Sequence, residues 1–321
     1  MSEQKVTTAL ARTVLESNLA LQAGEKLVVI TDTLTHEIGY ALFLAGAELG
    51  AEAVLVEIAP TCRNGKEPPA AAAAAMVEAD VLLCPTRFSV SHTQARARAT
   101  DRGARVATMP GIHPGMFFDG PITADHAEVE RRTERLKEII SGADDVRVVS
   151  GDGDAVLTFS IAGRAGRGST GRFLAPGAWG NLPSGEAYVA PVEGTASGEV
   201  VVNASIATIG LLDEPIRLRI EDGLLVEASG EAGAKLLATL GDTRESRNVA
   251  EFGIGTNDRA RITGVILEDE KKAGTIHIAF GDNSTFGGTV KAGVHIDTVI
   301  LGPDVTVGET RVLSEGELLQ I

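Results

Sequence analysis

Cysteine is nearly absent, with Cys62 and Cys84 the two thiols in 321 residues. They make neither a disulfide framework nor a CxxC metal site, so reduced thiols in a cytoplasmic protein are expected. Aromatic residues are only 4% of the chain, which leaves Ala, Val, Leu and Ile to fill the core. No stretch of about eighteen apolar residues occurs uninterrupted by charge, the usual minimum for a membrane span. The opening MSEQKVTTALARTVLESNLAL carries charges through its length and reads as an amphipathic helix, not a signal peptide. Positive charge is also short, with 29 Lys and Arg against 44 Asp and Glu and a net charge of −15. Clustered cations for nucleic acid or an anionic membrane are therefore not expected. Solubility alone accounts for such acidity, although a metal ion or a free amine would be drawn to it. The loop after the first apolar strand reads TDTLTHE, without a phosphate-binding GxGxxG or GKS/T, and the GIG at Gly253–Gly255 lacks the third glycine and the following helix. No GxSxG elbow supports serine-hydrolase chemistry.

What is present divides into two textures. Helical spacing from Val6 to Leu21 is stopped by Gly24, and KLVVIT at Lys26–Thr31 reads as a buried strand. Helices near 35–49, 68–78 and 91–102 then alternate with strands near 53–58, 81–84 and 104–109. Strands alternating with helices predict a mainly parallel sheet covered on both faces, an α/β domain over residues 1–123. A helix over 124–144 connects it to residues 145–321, where short Val, Ile, Leu and Thr runs are broken by Gly, Asn and Asp. That texture predicts a β-rich domain with one helix near 230–240 and a hairpin turning at Asp222-Gly223.

The chemistry concentrates late in this second domain. In GTIHIAFGDNSTFGGTVKAGVHIDTVI, His277, His295 and Asp297 sit on strand-like runs, and two of the chain's six His lie here. Spacing of two puts His295 and Asp297 on one face of a strand. An isolated His is more often a satisfied core or surface residue, but an unpartnered ring in such apolar runs would cost about 1–3 kcal/mol. Glu251 in NVAEFGIGTN and Glu186 in the turn-rich GNLPSGEAYVAP add carboxylates. Oxygen and imidazole donors of this kind suit Zn, Fe, Mn or Co.

The ordered motifs NLPSGE, AEFGIGTN, EKKAGTIHIAFG and HID resemble the metal-dependent aminopeptidases of the aminopeptidase T and aminopeptidase S type, and the related 2,5-dihydroxypyridine dioxygenases. The resemblance implies an α/β N-terminal domain, a homodimer, and two divalent ions (Zn, Co or Mn) held by Glu186, Glu251, His277, His295 and Asp297. It implies hydrolysis of a small peptide or amide by a metal-activated water, with Glu186 and Glu251 holding or deprotonating that water. The peptidases carry a Tyr just beyond the first His motif; here GDNSTFGG offers Asn283 and Ser284 instead. TRFSVSHTQARARATDRGARVATMP looks like the dioxygenase branch, in which His92 matches an acid or base. On that branch one Fe(II) would serve ring cleavage. His92 equally fits a helix start capped by Ser91, with Arg96 and Arg98 on the exposed side. A non-catalytic binding protein of the same fold is the third expectation. His36, His113 and His126 are expected to be structural or solvated, and Trp179, ahead of the Glu186 loop, to be a packing residue, with the wall of a substrate pocket as the alternative.

Overall fold

The computed structural model describes residues 3–320, which fall into two units. The first comprises 1–127 and 171–184, and the second comprises 128–170 and 185–321. The sequence reading places the crossover at a connecting helix. That helix, His126–Ser141, lies almost wholly in the second unit, and the chain returns to the first at Gly171–Ser184.

In the first unit the expected α/β pattern forms a five-stranded parallel sheet in the order Glu52–Ile58, Lys26–Asp32, Val81–Thr86, Arg105–Pro110 and Trp179–Asn181. Val81–Thr86 is buried at every position, as a central strand covered on both faces requires. The opening helix Glu3–Thr13 continues as a π-helical turn, Val14–Asn18, and ends at Asn18, whose Nδ2 donates to the Gly171 carbonyl at 2.7 Å. Helix Gln94–Asp101 begins after His92, not at Ser91. Thr93 is its cap, accepting from the Arg96 N–H at 3.2 Å, because the Ser91 hydroxyl is drawn away to Thr108 at 2.8 Å and Asn181 at 3.0 Å.

The second unit contains an eight-stranded and a seven-stranded sheet. Val148, Leu157, Val200 and Leu218 from the first pack with Val189, Phe252, Ile278 and Phe280 from the second in one hydrophobic core. Asp222 and Gly223 both take positive φ, at 47° and 76°, and turn the hairpin between Ile216–Glu221 and Leu224–Ala228 as expected. Helix Gly230–Leu240 is also where the sequence places it.

The seven-stranded sheet runs Gly210–Leu211, Ser205–Ile206, His295–Ile300, Ile276–Gly281, Val249–Gly255, Glu186–Val189, Arg167–Ser169, antiparallel throughout. Strand alternation sorts its side chains onto two faces. The core face carries Val189, Phe252, Ile278 and Thr298 in one row and Ile254, Ile276 and Ile300 in the next. The opposite face carries Glu186, Glu251, His277, His295 and Asp297.

Candidate metal centre

Pairing register places the candidate ligands. Tyr188, Gly253 and His277 form one cross-strand row, Glu251, Ala279 and Asp297 a second, and Gly281 and His295 a third, with Glu186 opposite Gly255. The ligands are thus interleaved with Gly and Ala, which open space above the sheet. Gly253 is required by close approach, since a Cβ there would lie 2.1 Å from His277 Cε1 and 2.2 Å from Nε2. Gly253→Ala is therefore expected to displace the imidazole, with an overpacking cost of about 1–3 kcal/mol and loss of metal retention. Metal content after dialysis checks this. Full retention would show that the ring does not depend on the missing Cβ.

The structure brings Glu186, Glu251, His277, His295 and Asp297 together. His277 Nε2 stands 3.3 Å from Glu251 Oε1 and 3.6 Å from Glu186 Oε2. His295 Nε2 stands 3.4 Å from Glu251 Oε2 and 3.4 Å from Asp297 Oδ1. Charge-assisted hydrogen bonds are usually shorter, about 2.7–2.9 Å. Two donors bound tetrahedrally to one ion at about 2.0–2.2 Å would be roughly 3.3–3.6 Å apart. The spacing therefore fits the edges of metal coordination polyhedra. Glu251 turns one oxygen to each imidazole. Glu186 Oε2 is buried and has no hydrogen-bond partner, a second sign that a cation suits this place. His295 Nδ1–H donates to the Asp282 carbonyl at 2.8 Å, which leaves Nε2, facing the carboxylates, as the nitrogen that would ligate a metal once its proton is displaced.

Two residues not singled out from the sequence join the group. Glu270 forms a candidate ligand set with Glu186 and His277, beside the second set of Glu251, His295 and Asp297. Lys271, almost wholly buried, places Nζ 2.6 Å from Glu186 Oε1 and 2.5 Å from Glu270 Oε1. Both belong to EKKAGTIHIAFG, so the signal was present as a charge pair at the head of a motif.

The electrostatics are those of a cation site. Burial alone would lower the Lys271 pKa, but Glu186 and Glu270 reverse it and hold the ammonium charged. Burial pushes Glu270 up to about 7, with Lys271 opposing the rise. Burial would lower His277, yet Glu251 and Glu186 raise it to about 9. His295 is likewise raised well above the ordinary imidazole value, chiefly by Asp297 and Glu251 against burial. Glu251 is lowered because His277 and His295 outweigh burial. Tyr188 is pushed up to about 12, first by burial and then by Glu186 and Glu251.

The remaining candidates are not members of these ligand sets. His92 belongs to the first unit, where its ring meets Trp179 edge-on at 6.0 Å, and Arg96 stacks over the same indole at 3.6 Å instead of pointing to solvent. Desolvation, and then Arg96, lower the His92 pKa below the usual imidazole value. His36 pairs with Glu57 at 2.5 Å on the surface, and buried His126 bonds the Ile122 carbonyl at 3.0 Å. Asn283 and Ser284 hold loop structure. Asn283 bonds Glu193 and the Val290 N–H, and the Ser284 hydroxyl donates to Asp282.

The sequence model of the NicX family, 2,5-dihydroxypyridine 5,6-dioxygenase, matches residues 7–320. The chain belongs to this family. Its fold is similar to 2,5-dihydroxypyridine dioxygenase from Pseudomonas putida KT2440, at a TM-score of 0.81 and 19% identity, over 100% of this chain and 99% of that one. It is also similar to AmpT from Thermus thermophilus, at a TM-score of 0.74 and 18% identity, over 99% and 100% of the two chains. Aminopeptidase T of Thermus aquaticus is 36% identical over 107 residues, 32% of this chain. That segment spans only 26% of the aminopeptidase. The expected kinship with both the aminopeptidases and the dioxygenase branch, and the α/β fold with a later β-rich part, are borne out. Among the described residues no helix is long and apolar enough to cross a membrane.

Proposed function

We propose that this protein is a metal-dependent hydrolase of the aminopeptidase kind, in which Glu251 faces two divalent cations at once. The observation that supports it is the division of Glu251, with Oε1 toward His277 and Oε2 toward His295. Glu186, Glu270 and His277 would hold one ion, and His295 and Asp297 the other. A pair of Zn, Co or Mn ions supplies a more acidic water and a polarised amide carbonyl. The protein's own part is to fix that geometry. Glu186 and Glu251 would orient the water and accept its proton, Lys271 would fix Glu186 and Glu270 through its ion pairs, and the acidic face would favour a substrate with a free amine.

A second reading is favoured by the family match and by Lys271. Its ammonium already pairs with Glu186 and Glu270 and offsets one of their two charges, so that His277, His295 and one carboxylate, Asp297 or Glu251, would serve as a two-His, one-carboxylate set for one Fe(II) in a ring-cleaving dioxygenase. Metal analysis after anaerobic purification, with turnover of leucine amide and of 2,5-dihydroxypyridine, separates the two. Two ions per chain and amide cleavage support the hydrolase. One iron and ring opening overturn it, and a metal-loaded protein with neither activity supports a binding role.

We further propose a homodimer. The edge strand Glu52–Ile58 leaves Val54 exposed, and open sheet edges are commonly covered by a partner. Light scattering at micromolar concentration is expected to give twice the chain mass, and a monomer would exclude the proposal.

A further inference from the structure

A metal face that acts on a carbonyl or amide oxygen needs a hydrogen-bond donor where negative charge develops on that oxygen. Most donors on or beside this face are already engaged. The Lys271 ammonium is held between Glu186 and Glu270. Asn283 is fully buried, with Nδ2 donating to Glu193 at 3.0 Å and Oδ1 accepting from Val290 at 2.8 Å. Ser284 donates its hydroxyl to Asp282 Oδ1 at 2.8 Å. His295 spends its Nδ1–H on the Asp282 carbonyl.

Tyr188 is different. It lies two residues from Glu186 on the same strand, hence on the same face, and it shares a cross-strand row with Gly253 and His277. Between Tyr188 and His277 that row holds only a glycine, so no side chain of the row separates them. Phe286 fixes the phenol ring edge-on at 5.9 Å and meets His295 edge-on at 5.8 Å, tying Tyr188 to both ligand sets. The Tyr188 hydroxyl has no hydrogen-bond partner among the described residues. A half-buried phenol held by packing, with its hydroxyl unspent, is suited to a ligand and has no evident structural duty.

We propose that Tyr188 is a catalytic residue that donates its hydroxyl hydrogen bond to the carbonyl or amide oxygen of a substrate bound at the metal face. The assignment rests on the metal-centre reading above. No covalent bond is made or broken by Tyr188, which acts as a fixed donor that strengthens as charge grows on the oxygen.

The test uses the full-length chain loaded with Co(II), with and without Tyr188→Phe. Acetohydroxamate is titrated in as an oxygen-donor probe and followed by the visible spectrum of the cobalt. The variant is expected to keep its cobalt and its melting temperature while binding acetohydroxamate about tenfold or more weakly, the worth of a hydrogen bond to a charged oxygen. With leucine amide, kcat is expected to fall about a hundredfold while KM moves less than about threefold. Equal hydroxamate affinity in the two proteins overturns the proposal, and so does loss of cobalt from the variant, which would make the ring structural. Absence of any hydroxamate response in the wild type overturns it together with the metal-centre reading. Weakened hydroxamate binding in a protein that never cleaves leucine amide removes only the hydrolytic reading and leaves Tyr188 as the donor.

Discussion

A chain carrying both His295→Ala and Asp297→Ala is expected to fold and to lose its metal. The two side chains leave the same side of one strand, and each lies 3.4 Å from its neighbour in the ligand set through His295 Nε2. Loss of one group that merely supports a ligand costs about 10–100-fold in metal affinity, so removing two ligands should exceed a hundredfold. The fold has less at stake. The opposite side of that strand, with Ile296, Thr298 and Ile300, keeps its core contacts, and truncation to Ala leaves no buried charge unpaired on the strand itself. Metal content after dialysis and circular dichroism measure the two halves of the claim. Undiminished metal in the double variant would remove the centre of the argument.

The same ligands predict how wild-type metal affinity varies with pH. The carboxylates hold protons on both imidazoles, to about 9 at His277. A metal ion must displace those protons, because only the neutral ring is a ligand. Affinity therefore rises as pH climbs toward 9 and falls as pH drops, with protons released on binding.

The legible parts of this protein are those where one physical signal dominates. Alternation in IHIAFG and HIDTVI placed His277, His295 and Asp297 on strands, and spacing of two put the last pair on one face. Glu270 and Lys271 escaped because they lie between the short helix Ile266–Asp269 and the strand Ile276–Gly281, in a segment with no period. A charge run such as EDEKK ordinarily faces water. Here ion pairing within the run and with Glu186 makes burial tolerable. The return of the chain to the first unit was hidden for another reason. Trp179–Asn181 is a three-residue strand containing Gly180, with no apolar run to announce it, and only its parallel pairing with Arg105–Pro110 reveals it.

The capping of one helix bears on the last large effect, that of His92→Ala. With Thr93 capping Gln94–Asp101, His92 sits in the turn before the helix and has no hydrogen-bond partner among the described residues. Its ring is set against Trp179, whose indole is in turn covered by Arg96. Such a side chain is placed by packing and free to exchange a proton. We propose, on the resemblance to the dioxygenase branch, that this position serves as an acid or base. Removing a general acid or base typically costs about 10²–10⁴ in rate. We expect His92→Ala to lower kcat at least about a hundredfold with metal content unchanged. The lowered pKa of His92 sets the sign of the pH dependence. A base depressed below the ordinary value of about 6.5 is unprotonated through the neutral range, so the acid limb of the wild-type kcat/KM profile should fall below about 6.5. That limb should vanish in the variant. A loss under about threefold with the limb intact would assign the chemistry to the second unit alone, and would weigh more heavily against the dioxygenase reading than against the hydrolase.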